Sequence, residues 1–327
     1  MSELPRPVPL GLVAELWYAE PPDLGDPAVL AALRAVSPAA EAQQGSITVP
    51  HALADPELPP LVTAVVPGSP LGQGGKTLPD VSQTWDWPEA EGVVQGCRSS
   101  VLVTELLAEG RTAAERVVSL GRVVAALIAA TAPAAVHWAR SQRVSDPAAF
   151  GPEDLDGVIN VRMFADARDE QALAMDTLGL HVFDLPDVQC HFRHRDPGAI
   201  AELLFTTAVY LFDHGDVVED GNTISGTDGQ GRFVCHREAS LLDPARLVLD
   251  VDLGEPYAAG RRSRGRCAPR LTRAPRPSAG GPAPGAQRHT PPRRPRPDGP
   301  APAALRRTRV RSARRARLEL CSRPTSG

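Results

Sequence analysis

Cys190, His191 and His194 are matched in type by Cys235 and His236, and together these are the side chains a tetrahedral zinc site would need. Strand alternation argues against that use. In extended chain Val188, Cys190 and Phe192 fall on one face and Gln189, His191 and Arg193 on the other, so adjacent Cys190 and His191 point apart. Cys190 therefore reads as a small buried apolar residue, with His191 and Arg193 turned to solvent or a partner. No cofactor is expected, and Cys190, His194, Cys235 and His236 are the ligands a metal would have to use.

A second group, Asp213, His214, Asp216, Glu219 and Asp220, could supply a general base or a cation site, because carboxylates beside an imidazole suit both. Local structure competes for the same residues. Asp220-Gly221-Asn222 has turn chemistry, His214-Gly215 suits a helix C-terminus, and the spacing is not that of an EF-hand loop. A hydrolase built on His191, His214, Asp216, Glu219 and Asp220 is the enzymatic alternative.

Leu71-Gly72-Gln73-Gly74-Gly75-Lys76-Thr77 follows an apolar strand and invites a phosphate-loop reading, with Lys76 on phosphates and Thr77 on magnesium. Pro70 stands where the first glycine is required, and Pro79 and Pro88 oppose the helix that would present its amides. An ordinary flexible loop is expected. There is no GxSxG, and Ser99 and Ser100 beside Cys97 have no partner identifiable by spacing. Cys97 with a distant histidine is open, as for any thiol. Trp85 and Trp87 beside Pro88 are either a contact patch for a protein or small-molecule partner or fold back onto the core.

The elements that must position these groups follow from periodicity. Leu10–Trp17 reads as a strand; Asp26-Pro27 caps a helix bearing Val29, Leu30, Leu33 and Val36; Gly45–Val49 and Leu61–Val66 are short strands. Pro67–Pro88 is a long loop or domain boundary. Val101–Leu106 is the next strand. Thr112 and Glu115 form a capping box before Val117, Leu120, Val124, Leu127 and Ile128, and Ala134–Trp138 returns as a strand. Asp146-Pro147 opens a short helix or a turn. Val158–Phe164, Met175–Phe183 and Val188–Arg193 make a hairpin-rich sheet. Asp196-Pro197 then starts a helix with Ile200, Leu203, Leu204, Ala208, Leu211 and Phe212 inward, ending near Gly215. Val217–Ser225, Phe233–His236 and Leu247–Val251 complete the sheet. Antiparallel sheets from hairpins, covered by a few amphipathic helices, imply an α+β fold and not a doubly wound one. The expected organisation is a β-α-β-β region over 1–90, a main α+β domain over 91–258, and a disordered tail over 259–327.

The 327 residues, 42% hydrophobic, are enough to bury a full core in one large domain or two modest ones. No long uncharged apolar run occurs, and the start, with Glu3 and Pro5, is not that of a signal peptide, so a cytoplasmic location is expected. Cys97, Cys190, Cys235, Cys267 and Cys321 are widely spaced without a CxxC pair and read as reduced thiols. The net charge of -4 divides sharply: residues 261–327 hold 19 Arg against two acids, a balance of +17, and residues 1–260 carry -21. The body should repel phosphate backbones, so nucleic acid is a partner only through the tail.

That tail has two readings. Rich in Arg, Pro, Ala and Gly and free of aromatic residues, it cannot bury enough apolar surface to order itself, and Ala303–Thr308 and Val310–Leu320 could become helical on a polyanion. Equally, Lys76 is the only lysine of the body, which suggests a GC-rich gene, and the tail then reads as a frame-shifted or read-through product.

From Met175-Asp176-Thr177-Leu178-Gly179-Leu180 through Leu185-Pro186-Asp187-Val188-Gln189-Cys190-His191-Phe192, the chain resembles the bacterial family called domain of unknown function 4261. Gly215-Asp216-Val217-Val218-Glu219-Asp220-Gly221-Asn222-Thr223, Ser100–Thr104 and Gly157–Phe164 resemble further parts of it, and the resemblance spans residues 92–257. It implies a bacterial intracellular protein and carries over no catalytic residue. The leading expectation is a non-catalytic binding or regulatory module, with a defence, immunity or stress locus as its setting.

Overall fold

The computed structural model describes residues 11–52, 57–72, 75, 78, 81–226 and 231–259, and the backbone of 271–273. Its elements run β1 (Val13–Tyr18), α1 (Pro27–Val36), β2 (Glu41–Gln43), β3 (Ser46–His51), β4 (Leu61–Pro67), α2 (Ala90–Gly96), β5 (Ser99–Leu106), α3 (Ala113–Thr131), β6 (Ala135–Trp138) and β7 (Arg143–Ser145). They continue with β8 (Asn160–Asp166), β9 (Asp169–Leu178), β10 (Asp187–Arg193), α4 (Pro197–His214), β11 (Thr223–Ser225), β12 (Arg232–Ala239), β13 (Leu247–Asp252) and β14 (Leu271–Arg273). The first sheet has the order β2-β3-β4-β5-β1-β6-β7 and the second β11-β12-β13-β10-β9-β8-β14. All neighbours are antiparallel except β10 and β13. The fold is α+β.

The sheets divide between Ser145 and Asn160, not at residue 90. The reason is β1: buried in the middle of its sheet, it needs a partner on each side and finds them in β5 and β6, which follow the Pro67–Pro88 stretch. Described residues of that expected loop or boundary pack onto the sheet. Leu71 and Val81 pack with Trp17, Val94 and Cys97 against the face of the first sheet away from α1 and α3.

Local chemistry sets the helices as expected. Asp26 accepts from Ala28 N at 2.8 Å ahead of Pro27. The Thr112–Glu115 capping box is reciprocal, at 3.2 and 2.9 Å. Asp196 accepts from Ala199 N at 3.0 Å ahead of Pro197. Helices α1 and α3 cover the first sheet through Val29, Leu33, Val117, Leu120, Val124 and Leu127; α4 covers the second through Ile200, Leu204, Ala208 and Leu211. Helices α3 and α4 touch each other.

Two expected strands have different bounds. Met175–Phe183 stops at Leu178, because Gly179 turns to φ +143° and Leu180–Phe183 winds into a 3-10 turn. A Cβ on Gly179 would lie 2.0 Å from the Val158 carbonyl oxygen, so only glycine fits. Val217–Ser225 is a strand only from Thr223, since side chains of Asp220 and Asn222 claim the backbone amides of Arg237 and Glu219. Helix α2 and strands β2 and β7 are too short for a periodic signal.

The expectations for residues 1–10, the phosphate-loop residues Gln73, Gly74, Lys76 and Thr77, and the tail lie outside the described residues, with Ala259 and 271–273 excepted. Within the tail 271–273 forms β14, antiparallel to β8 through Leu271↔Asp166 and Arg273↔Phe164. The edge of β8 is also capped from within. The Gln83 carboxamide accepts from Met163 N at 2.9 Å and donates to Met163 O at 3.1 Å, standing where a neighbouring strand's peptide would.

Among the described residues no helix is long and apolar enough to cross a membrane.

Replacing Gln83 by Leu leaves both polar groups of Met163 unpaired, and urea denaturation is expected to show a loss of about 1–3 kcal/mol. In the first sheet buried His51 bonds Thr63 Oγ1 at 2.8 Å, and burial, with the charge of Arg122, lowers its pKa to about 4. The folded state therefore favours the neutral ring, so this contribution is complete above the unfolded value near 6.5 and is lost as pH falls towards 4. Between pH 7 and pH 5 stability should drop by about 2 kcal/mol from this group, and His51→Gln should flatten the dependence.

Candidate functional site

On the face of the second sheet opposite α4, five strands carry polar side chains in one transverse row: Arg162 (β8), Asp176 (β9), Gln189 (β10), Asp250 (β13) and His236 (β12). Asp176 and Asp187 have no exposed side-chain surface, and Arg162 and Arg246 almost none. Arg162 grips Asp176 with Nε and Nη2 at 2.9 and 2.6 Å. Arg246 bridges the two acids, with Nη2 on Asp176 Oδ2 at 2.6 Å and Nε on Asp187 Oδ2 at 2.8 Å. Burial opposes the charge on Arg246, but Asp187 and Asp176 more than offset it and raise its pKa.

Asp187 accepts at both of its oxygens. Its Oδ1 receives Leu180 N at 3.0 Å and Thr177 Oγ1 at 3.3 Å, and its Oδ2 lies 3.1 Å from His181 Nδ1. Thr177 Oγ1 in turn accepts from Val188 N at 2.8 Å. Two carboxylates and two guanidiniums balance, and each carboxylate oxygen has a donor.

This network holds the segment between β12 and β13. Arg246 Nη1 donates to Leu242 O and Pro244 O at 3.2 and 2.8 Å; Leu241 N donates to Gln189 Oε1 at 2.9 Å; Gln189 Nε2 reaches Asp250 at 3.1 Å. Asp243, Pro244 and Ala245 face solvent on the outside of that loop.

The residues nominated from sequence are spread over several places. Cys190 and Cys235 lie fully buried on the α4 side, and burial pushes the Cys190 thiol well up. His191 and His236 are on the other face. His236 Nδ1 is 3.4 Å from Asp220, and His191 Nε2 is 3.3 Å from Asp166. The His191 side chain is 10% exposed, so its ring is not turned to solvent, and burial lowers its pKa despite Asp166. His194 follows the strand end at φ +54°. Among the described residues no three His, Cys, Asp or Glu side chains converge as metal ligands do.

Asp216 is held by both Nη atoms of Arg237, one of them at 2.8 Å, and this bond raises the arginine's pKa. Arg237 also donates to Val218 O, and Asp220 accepts from Arg237 N at 3.1 Å. His214 stacks on Tyr210 with centroids 4.3 Å apart. These bonds fix the turn after α4 to β12. They do not bring His214 to His191, which sits near the β8–β9 turn.

Trp85 and Trp87 are half-buried, Trp85 against the core of the second sheet and Trp87 against the outer core of the first. Cys97 is buried, and burial raises its pKa. Ser100 Oγ donates to Ser69 O at 3.0 Å.

Arg162, His181 and Arg246 went unnoticed in sequence. For Arg162 a charge at an inward strand position was the available signal, whereas His181 lies in a turn and Arg246 in a loop, where periodicity is silent.

An α+β protein with two sheets and a buried four-charge network under one of them is the class these observations define. Residues 176–252 match the model of the family described as domain of unknown function (DUF4261), which assigns this segment to that family. It contains Asp176, Asp187, Gln189 and Arg246 and is narrower than the span of the resemblance. No curated protein and no solved structure matches the chain.

Removing Arg246 leaves Arg162 on Asp176 and takes from buried Asp187 its guanidinium partner. Arg246→Met is expected to cost about 3–5 kcal/mol in urea denaturation, and adding Asp187→Asn to recover part of that loss.

Proposed function

We propose that this protein is a non-catalytic binding or regulatory module whose second sheet presents the loop 240–246 to a protein or small-molecule partner. The observation that carries this reading is how buried side chains of the matched segment are used. Asp176, Asp187 and Gln189 are buried, and each makes a hydrogen bond that, directly or through Arg246, fixes that loop. A loop fixed before binding has little conformational entropy left to lose on contact, and surface loops on a rigid scaffold are common recognition elements. Leu247, 49% exposed beside it, adds apolar surface to the same edge.

The hydrolase alternative asks Asp216, Glu219 and Asp220 to act with His214 or His191. Asp216, Asp220, His214 and His191 each have a local structural partner, the clearest being the grip of Arg237 on Asp216.

Catalytic groups are commonly held at a cost to stability, so replacing one tends to stabilise the fold. Under the module reading Asp216→Asn, Asp220→Asn and His191→Asn each lower stability, Asp216→Asn by about 0.5–1 kcal/mol given its exposure. A gain in melting temperature in any of the three would instead mark a strained catalytic group and overturn the reading.

A further inference from the structure

The four residues Leu180–Phe183 lie between the two halves of the molecule and belong to both. Leu180 is fully buried in the core of the second sheet, and Val182, two residues on, is 2% exposed in the core of the first. Phe183 meets Phe212 of α4 edge-on at 5.3 Å, and Arg116 of α3 lies over the Phe183 ring at 5.0 Å. Gly179 and Asp184 bracket the turn in left-handed or otherwise positive-φ backbone, at φ +143° and +58°.

Polar contacts run through the same turn without a break. On one side Asp187 accepts from Leu180 N and lies against His181 Nδ1. On the other, Arg116 Nη1 donates to Val182 O at 3.1 Å. Arg116 Nε is 3.0 and 3.1 Å from the two oxygens of Glu105, a side chain 1% exposed, and Glu105 Oε1 accepts from Leu12 N at 2.6 Å. The sequence of bonds thus leads from Asp176 and Arg246, through Asp187 and one 3-10 turn, to Arg116, Glu105 and the start of β1.

We propose that this turn is a conformational joint that couples the charge network of the second sheet, and the loop it holds, to the first sheet through Arg116. Its backbone admits little adjustment, because Leu180 and Val182 are each locked in a different core and Gly179 has no room for a side chain. A shift of α3 that moves Arg116 must therefore pull Val182 O, and with it the Leu180 amide that Asp187 holds. Loop 240–246 becomes responsive to events on the first sheet.

Native-state hydrogen exchange on the full chain tests the coupling. The reporters are the amides of Leu180, Val188 and Leu241, which donate to side chains of the network. Arg116→Gln is compared with Val117→Ala, which removes core volume from the same helix but no hydrogen bond to the turn, each corrected for its change in global stability. Arg116→Gln is expected to speed exchange at the three amides about tenfold beyond Val117→Ala, within the span usual for coupled sites, and Arg116→Lys to restore part of the protection. Equal corrected rates in the Gln and Ala variants, or unchanged rates in Arg116→Gln, would overturn the proposal. Should Arg116→Gln not fold, Arg116→Lys, which keeps the charge but loses the planar fork, is read against Val117→Ala with the same two outcomes.

Discussion

Two carboxylates without access to water, Asp176 and Asp187, impose the constraint on which the second sheet depends. Each would cost several kcal/mol to bury alone, and mutual attraction in a low-dielectric interior repays this only when the geometry is good and the remaining lone pairs are satisfied. Arg162 and Arg246 meet that condition. Meeting it fixes the registers of β8 against β9 and β9 against β10, because a slip of one residue would turn Asp176 into the α4 core and strand the guanidiniums. Such a network specifies one arrangement more than it adds net stability.

The same constraint explains why an irregular segment is held so firmly. Loop 240–246 has little apolar burial beyond Leu242, yet it is tied at Leu241, Leu242, Pro244 and Arg246 by groups that are themselves buried. The turn Leu180–Phe183 extends the arrangement to the other half. It contributes apolar side chains to two cores and backbone groups to two polar clusters, so the halves share more than a surface contact.

Much of the local structure was legible in the residues. Asp26-Pro27, the Thr112–Glu115 box and Asp196-Pro197 name three helix starts, because capping depends on side chains within three positions of the amides they satisfy. Alternation along 188–193 separates Cys190 from His191, as the structure does. Turn chemistry accounts for Asp220-Gly221-Asn222. The direction of His191 was misjudged: its face of the sheet carries Asp166 and Arg193 but is largely covered, and alternation distinguishes faces without saying which one meets water.

What the sequence determined by itself is the class of fold, the main helices and most strands, and the separation of an acidic body from a cationic C-terminal stretch, since these follow from periodicity and composition within short windows. The tertiary structure alone decided where one sheet ends and the next begins, and which charges meet. Arg162 and Asp176 are 14 residues apart, and Arg246 and Asp176 are 70 apart. Nothing in the local pattern of either arginine points to the other's acid, because ion pairing depends on distance in space, and strand order, not chain order, sets that distance.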